Sequence, residues 1–162
     1  MEENMKLLVA LDLSDCTETI VKQVEEIAKP LSASVWIIHN AKPKPDALEF
    51  KTDPIAARES LAKKFHQEHL QIQEIAENLR SEGLKVTAFL VHDGSTAKTV
   101  LEEAEKLDVN MIIVGSHGRG AAYQLILGSV SAGVIHKARC PVLVIPTRNH
   151  ADDSASSVAG SG

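Results

Sequence analysis

The stretch Val114-Gly115-Ser116-His117-Gly118-Arg119-Gly120-Ala121-Ala122-Tyr123-Gln124-Leu125-Ile126-Leu127-Gly128-Ser129-Val130-Ser131 begins where a strand ends and finishes where a helix starts. Ahead of it, Asn110-Met111-Ile112-Ile113-Val114 is a short apolar run that reads as a strand buried on both faces. Behind it, Val130, Val134, Ile135 and Ala138 recur at helical spacing, and Ser129 stands in the position of an N-cap. Gly115, Gly118 and Gly128 therefore punctuate a loop that leads from the C-terminal end of a strand to the N-terminus of a helix. Such a corner suits anions, because a helix start presents free N–H groups and the positive end of its dipole, and glycines let the backbone curl around phosphate oxygens. Ser129 and Ser131 add hydroxyls, which favours a polyphosphate over a lone carboxylate.

Upstream, Leu7-Leu8-Val9-Ala10-Leu11 is a continuous apolar strand that ends on Asp12, as the central strands of parallel sheets do. Ser14 and Asp15 are placed to cap a helix whose apolar stripe is Ile20, Val21, Val24, Ile27 and Ala28. Asp12 thus falls at the end of a central strand, where open α/β sheets bind ligands; an Asp there also serves as a turn former. Ser34 to Asn40 is a second strand, followed by the breaker-rich Ala41-Lys42-Pro43-Lys44-Pro45-Asp46. A long helix is expected from Ile55 to Glu82, ended by Gly83, with Leu61, Phe65, Ile72, Ile75, Ala76 and Leu79 on its inner side. Leu84 to Val91 alternates as an edge strand does. Asp93-Gly94 makes a turn, Ser95 is a cap, and Ala97, Val100, Leu101, Ala104 and Leu107 line the next helix. Val142 to Ile145, bracketed by Pro141 and Pro146, is a fifth strand whose prolines suit an edge. From Thr147 onward the chain is too poor in apolar residues to pack, so the expected domain is 1–146 and the tail 147–162.

Strands alternating with helices in this way imply an α/β, doubly wound parallel sheet with helices on both faces, Rossmann-like in plan. A chain of 162 residues with 44% hydrophobic content suits a single core. A net charge of −5 and 3% aromatic residues leave neither the basic field nor the stacking platforms that nucleic-acid binding uses. The longest apolar runs are strand-sized and the N-terminus lacks signal-peptide architecture, so the expectation is a cytoplasmic protein without membrane insertion. Cys16 and Cys140 lack CxxC spacing and read as reduced thiols. His66 and His69 share a helix face, but no acidic or cysteine partner accompanies them, so they read as solvated surface and no metal site is expected. His39 reads as a structural histidine, since no motif supplies it with a partner, and His92-Asp93 as turn chemistry. Neither a P-loop nor a Gly-x-Gly-x-x-Gly fingerprint occurs.

The spacing Gly-x2-Gly-x9-Gly-Ser, met as Gly115, Gly118, Gly128 and Ser129, resembles the ATP-binding signature of the universal stress protein family. The resemblance extends over about residues 5 to 146 and includes Val9-Ala10-Leu11-Asp12-Leu13-Ser14, Ile38-His39 and Arg139-Cys140-Pro141-Val142-Leu143-Val144-Ile145. It implies a five-stranded sheet of order 3-2-1-4-5 and an ATP-binding regulatory protein acting in the stress response as a nucleotide-dependent sensor or switch, with Mg2+ as a companion of the phosphates. It also implies site residues. Ala10 and Asp12 fall on the adenosine side, Asn40 and Ala41 at the adenine edge through backbone groups, and Val114, Gly115, Gly118, Gly128, Ser129, Val130 and Ser131 at ribose and phosphates. His117 and Arg119 are either phosphate neighbours or solvated, and Tyr123 packs. Family resemblance further implies a homodimer through the strand Val142–Ile145. Two alternatives stand beside this reading. One is a slow ATPase or nucleotidyl-transfer enzyme, for which Asp12, His117 and Arg119 are the candidates, although no second carboxylate is paired with Asp12. The other is a nucleotide-free interaction module, in which the glycines serve only tight turns and close helix packing.

Overall fold

A computed structural model describes residues 4–42, 53–92, 94–116 and 127–147. In chain order the elements are β1 (Lys6–Ala10), α1 (Thr17–Ala28), β2 (Ser34–Asn40), α2 (Pro54–Ser81), β3 (Lys85–Val91), α3 (Thr96–Leu107), β4 (Met111–Gly115), α4 (Ser129–Lys137) and β5 (Val142–Ile145). The five strands form one parallel sheet in the order β3-β2-β1-β4-β5. β1 and β4 both show two half-buried ends around a fully buried middle, as their unbroken apolar runs require. β3, at one edge, keeps exposed positions at Lys85 and Thr87.

Alternation along the strands sends side chains to two separate cores. Leu7 and Val9 of β1, Val35 and Ile37 of β2 and Ile113 of β4 pack with Ile20, Val24 and Ala28 of α1 and with Ala76 and Leu79 of α2. Leu8, Ile38, Ile112 and Val114 point the other way and meet Val100 and Ala104 of α3 and Val134 of α4. Helices α1 and α2 therefore cover one face, and α3 and α4 the other. Full burial of an aliphatic side chain is worth about 1.5–3 kcal/mol, so each strand position is committed to its face, and a one-residue slip would reverse every one of them.

Helix ends differ in detail from the sequence expectation. α1 is capped by Cys16 without a side-chain bond, because Ser14 sits two residues too early; its carbonyl accepts the Thr17 N–H at 3.0 Å and its hydroxyl receives the Cys16 N–H at 3.4 Å. α4 is capped by Gly128, whose carbonyl accepts the Ala132 N–H, so Ser129 is the first helical residue and not the cap. Ile135, expected on the inner stripe of α4, is 41% exposed. α2 starts at Pro54 under a true cap: the Asp53 carboxylate accepts from Ile55 and Ala56 N–H groups at 3.0 and 3.3 Å. At its other end Gly83 takes φ +91°, a left-handed turn that a Cβ would strain. Only the C-terminal part of this 28-residue helix carries fully buried residues, at Ile72, Ala76 and Leu79. No helix among the described residues is long and apolar enough to cross a membrane.

Candidate functional site

β1 ends at Ala10, one residue before its expected limit. Leu11 still donates its N–H to the Ile38 carbonyl, but Leu13 adopts φ +55° and turns the chain toward α1. The Asp12 carboxylate accepts the Ser14 N–H at 3.0 Å and fixes that turn. On the other side of the central strand β4 ends at Gly115, and the chain leaves β1 and β4 toward opposite sides of the sheet. A cavity of about 140 Å³ lies at this divergence, over the C-terminal ends of β1, β2 and β4.

Of the residues expected at a nucleotide, Ala10, Asp12, Asn40, Val114, Gly115, Val130 and Ser131 all line this cavity. Four elements therefore converge on it from positions as far apart in sequence as Ala10 and Ser131. Asn40 contributes in two ways. Its side-chain amide donates to the Thr96 hydroxyl at 3.2 Å, joining the end of β2 to the start of α3. Its backbone groups point to the same side as those of Ile38, whose carbonyl bonds Leu11, so they face the β1 side just where that strand has ended. Ala41 behaves differently. It is fully buried and its N–H donates to the Val91 carbonyl at 2.8 Å, toward β3 and away from the cavity.

The glycine loop divides in the same way. Gly115 lies against the cavity and its carbonyl accepts the Ser131 hydroxyl at 2.7 Å, which pins the first turn of α4 to the end of β4. That hydroxyl is 3% exposed as part of its residue and is already donating, so its remaining capacity is as an acceptor. Ser129 is exposed and Gly128 half-buried, and neither lines the cavity. Gly118, His117, Arg119 and Tyr123 lie outside the described residues. Three residues with backbone or side-chain roles at the cavity carried no motif signal, Thr96, Ser116 and Thr147, and His39, part of the Ile38-His39 anchor but read as structural, lines it as well. Ser116 is 2% exposed; its N–H donates to the Ile145 carbonyl at 2.9 Å and its hydroxyl receives the Thr147 N–H at 3.1 Å. Thr147, placed by composition with the tail, is buried in the cavity wall, and its hydroxyl oxygen has no hydrogen-bond partner among the described residues. A buried polar atom without a protein partner beside a cavity can be satisfied by water or by a ligand group.

Cys16 also faces the cavity, with its thiol donating to the Thr147 carbonyl at 3.5 Å. Cys140 lies at the opposite end of the sheet, where burial pushes its thiol pKa up and keeps it protonated. The described residues contain no cluster of three or more His, Cys, Asp or Glu side chains able to hold a metal ion.

The family model of the universal stress protein family matches residues 3–146. The chain belongs to the universal stress protein family. Universal stress protein A homolog 2 of Coxiella burnetii is 30% identical over 150 residues, covering 90% of this chain and 97% of the relative. Among solved structures, that of the Methanocaldococcus jannaschii protein MJ0577 superposes with a TM-score of 0.72 at 27% identity, over 90% of this chain and 98% of the other. A universal stress protein from Archaeoglobus fulgidus, solved in complex with dAMP, shares the fold at a TM-score of 0.57 and 20% identity, over 87% of this chain and 97% of that one.

Proposed function

We propose that this universal stress protein binds an adenine nucleotide, ATP in particular, in the cavity over β1, β2 and β4, and acts as a nucleotide-dependent regulator. The observation that carries the reading is the convergence of Asp12, Asn40, Gly115 and Ser131 on one cavity at the point where the sheet's connections diverge. The volume of about 140 Å³ is below the roughly 300–1,000 Å³ of pockets that enclose a whole ligand. It therefore suits the nucleoside end, with phosphates extending toward the start of α4. There the first backbone N–H groups of Ser129, Val130 and Ser131 lack intrahelical partners by construction, and the helix dipole favours negative charge. Asn40 is assigned the adenine edge through its backbone groups, with Ala41 buttressing it from the β3 side. Asp12, held by the Ser14 N–H, is assigned the adenosine side. Gly118 and Gly128 are assigned the passage of the chain around the phosphates, and Mg2+ the role of shielding their charge. The dAMP complex in the Archaeoglobus relative supports an adenine nucleotide as the ligand class.

Mass analysis of the small molecules released by heating purified protein, together with calorimetric titration of ATP with magnesium, tests this reading. The expected result is an adenine nucleotide in the supernatant or a saturable heat. Neither a released nucleotide nor any heat would leave the glycines as purely structural and favour an interaction module.

A further inference from the structure

Thr147 brings to the cavity a side chain that the protein itself does not use. Its backbone is tied on both sides. The N–H donates to the Ser116 hydroxyl at 3.1 Å, just past the end of β4, and the carbonyl accepts the Cys16 thiol at 3.5 Å, at the start of α1. The hydroxyl has no such tie: the residue is 7% exposed, and Oγ1 is buried without a hydrogen-bond partner among the described residues. A buried hydroxyl in that state costs free energy that a valine of nearly the same shape would not. The methyl group shows which way the side chain can turn. A Cβ placed on Gly115 would lie 3.2 Å from Cγ2 of Thr147, so the methyl borders the gap that the glycine leaves in the cavity wall. The staggered wells of χ1 lie roughly 120° apart, and one such turn brings Oγ1 to the place the methyl now holds.

We propose that Thr147 is a specificity-determining residue of the ligand site, and that its hydroxyl turns to hydrogen-bond a sugar hydroxyl of the nucleotide, so that the site prefers ribonucleotides to their deoxy counterparts. The inference rests on the nucleotide reading. With the base assigned to Asn40 at the end of β2, the sugar falls over β1 and β4, and Gly115, beside which Thr147 stands, is the last residue of β4. Charge in this wall points the same way. Asp12 lines the cavity, Asp15 and Glu18 stand at the start of α1, and no Lys or Arg is among the described residues that line the cavity. A phosphate is disfavoured in such a wall and belongs with the N–H groups at the start of α4. A sugar hydroxyl is neutral, and it both donates and accepts, as that of threonine does. The two groups therefore satisfy each other whichever gives the hydrogen. The ligand-free protein carries the cost of the unpartnered hydroxyl, the nucleotide cancels it, and the difference appears as affinity. An analogue without that sugar hydroxyl leaves Thr147 unpaired, and the cost stays.

The test is calorimetric titration of ATP, 2′-deoxy-ATP and 3′-deoxy-ATP into the wild-type protein, Thr147→Val and Thr147→Ser, with a thermal melt of each ligand-free protein. In the wild type one of the two deoxy analogues is expected to bind about tenfold more weakly than ATP, the scale of one neutral hydrogen bond. Thr147→Val should lower the ATP affinity by about the same factor and bind ATP and that analogue alike, because the bond is then missing from either side. Thr147→Ser keeps a hydroxyl and should keep the preference. Ligand-free Thr147→Val should melt no lower than the parent, since the hydroxyl it removes has no partner to lose; a variant that melts lower or does not fold would make the hydroxyl structural and overturn the proposal. An unchanged ATP affinity in folded Thr147→Val would overturn it too and leave the hydroxyl to water. Equal losses on ATP and both deoxy analogues would overturn the sugar assignment and give the bond to a phosphate oxygen. These failures leave the nucleotide reading standing, whereas a wild-type protein that binds none of the three nucleotides would remove that reading and the role of Thr147 with it.

Discussion

At the scale of single residues, Gly115 shows what the cavity demands. A Cβ added there would lie 2.6 Å from Cδ1 of Ile20 and 3.2 Å from Cγ2 of Thr147. Both neighbours line the cavity, and Cδ1 is the free end of the isoleucine, so the natural relief is a rotation of Ile20 into the space a ligand would use. Gly115→Ala should therefore remain folded, lose about 1 kcal/mol of stability, and bind ATP about tenfold more weakly. Thermal melting and calorimetric titration check the two effects separately, and unchanged affinity in a folded variant would remove Ile20 from the ligand's path. The glycine and Asp12 were legible in the sequence because each has a local cause, the end of an apolar run. His39 was not. Its partners are the Leu11 carbonyl and the Glu68 carboxylate, 28 and 29 positions away in opposite directions, and only the folded sheet with α2 laid on it brings them to the ring. Thr96 and Thr147 were silent for the same reason, since nothing near them in sequence marks a threonine as facing a cavity.

At the scale of elements, α3 and α4 approach each other closely at a glycine. Gly133, in the middle of α4, faces Ala97 at the start of α3, and a Cβ added to it would lie 2.9 Å from the Ala97 Cβ. Ala97 has no flexible end to move aside, so the helices themselves must separate. Replacing a helical glycine by alanine gains about 0.8–1.0 kcal/mol of helix propensity, whereas overpacking costs typically about 1–3 kcal/mol. Gly133→Ala is thus expected to destabilise the fold by up to about 2 kcal/mol, measured by urea denaturation; a stabilised variant would mean that the two helices slide apart freely. Element type and order were readable throughout, from apolar runs of strand length, from stripes of helical period and from Gly83 and Pro141 at the breaks. Helix starts were read less well. Ser14 and Ser129 are both cap formers by residue type, but the chain enters α1 through a left-handed Leu13 and enters α4 through an extended Gly128, and these local bends shift each start.

At the scale of the whole molecule, β5 is one of the two edge strands of the sheet. β5 pairs with β4 on one side and, among the described residues, with no strand on the other, yet Val142, Leu143 and Val144 are apolar and half-buried. Ile135 on the helix leading into β5 is also 41% exposed. A homodimer that paired two copies of β5 about a two-fold axis would cover the edge and close the assembly. Sedimentation should show a dimer at micromolar concentration and Val144→Lys should shift it toward monomer; a Val144→Lys dimer as tight as the parent would move the interface elsewhere. Strand order was the one global property that periodicity left open, since right-handed crossovers permit more than one order, and the family resemblance supplied it. Composition had likewise assigned Thr147 to a tail, but its backbone is bonded to Ser116 and its side chain is in the cavity wall. That short tie has a thermodynamic corollary. Thr147, in the cavity wall, lies two positions after Ile145, the last residue of the strand on which the dimer would form, so pairing along β5 and filling the cavity would act on neighbouring residues of one short segment. Any advantage that a partner gives the ligand must be returned by the ligand to the partner in equal measure, and nucleotide concentration would then set the fraction of chains that associate.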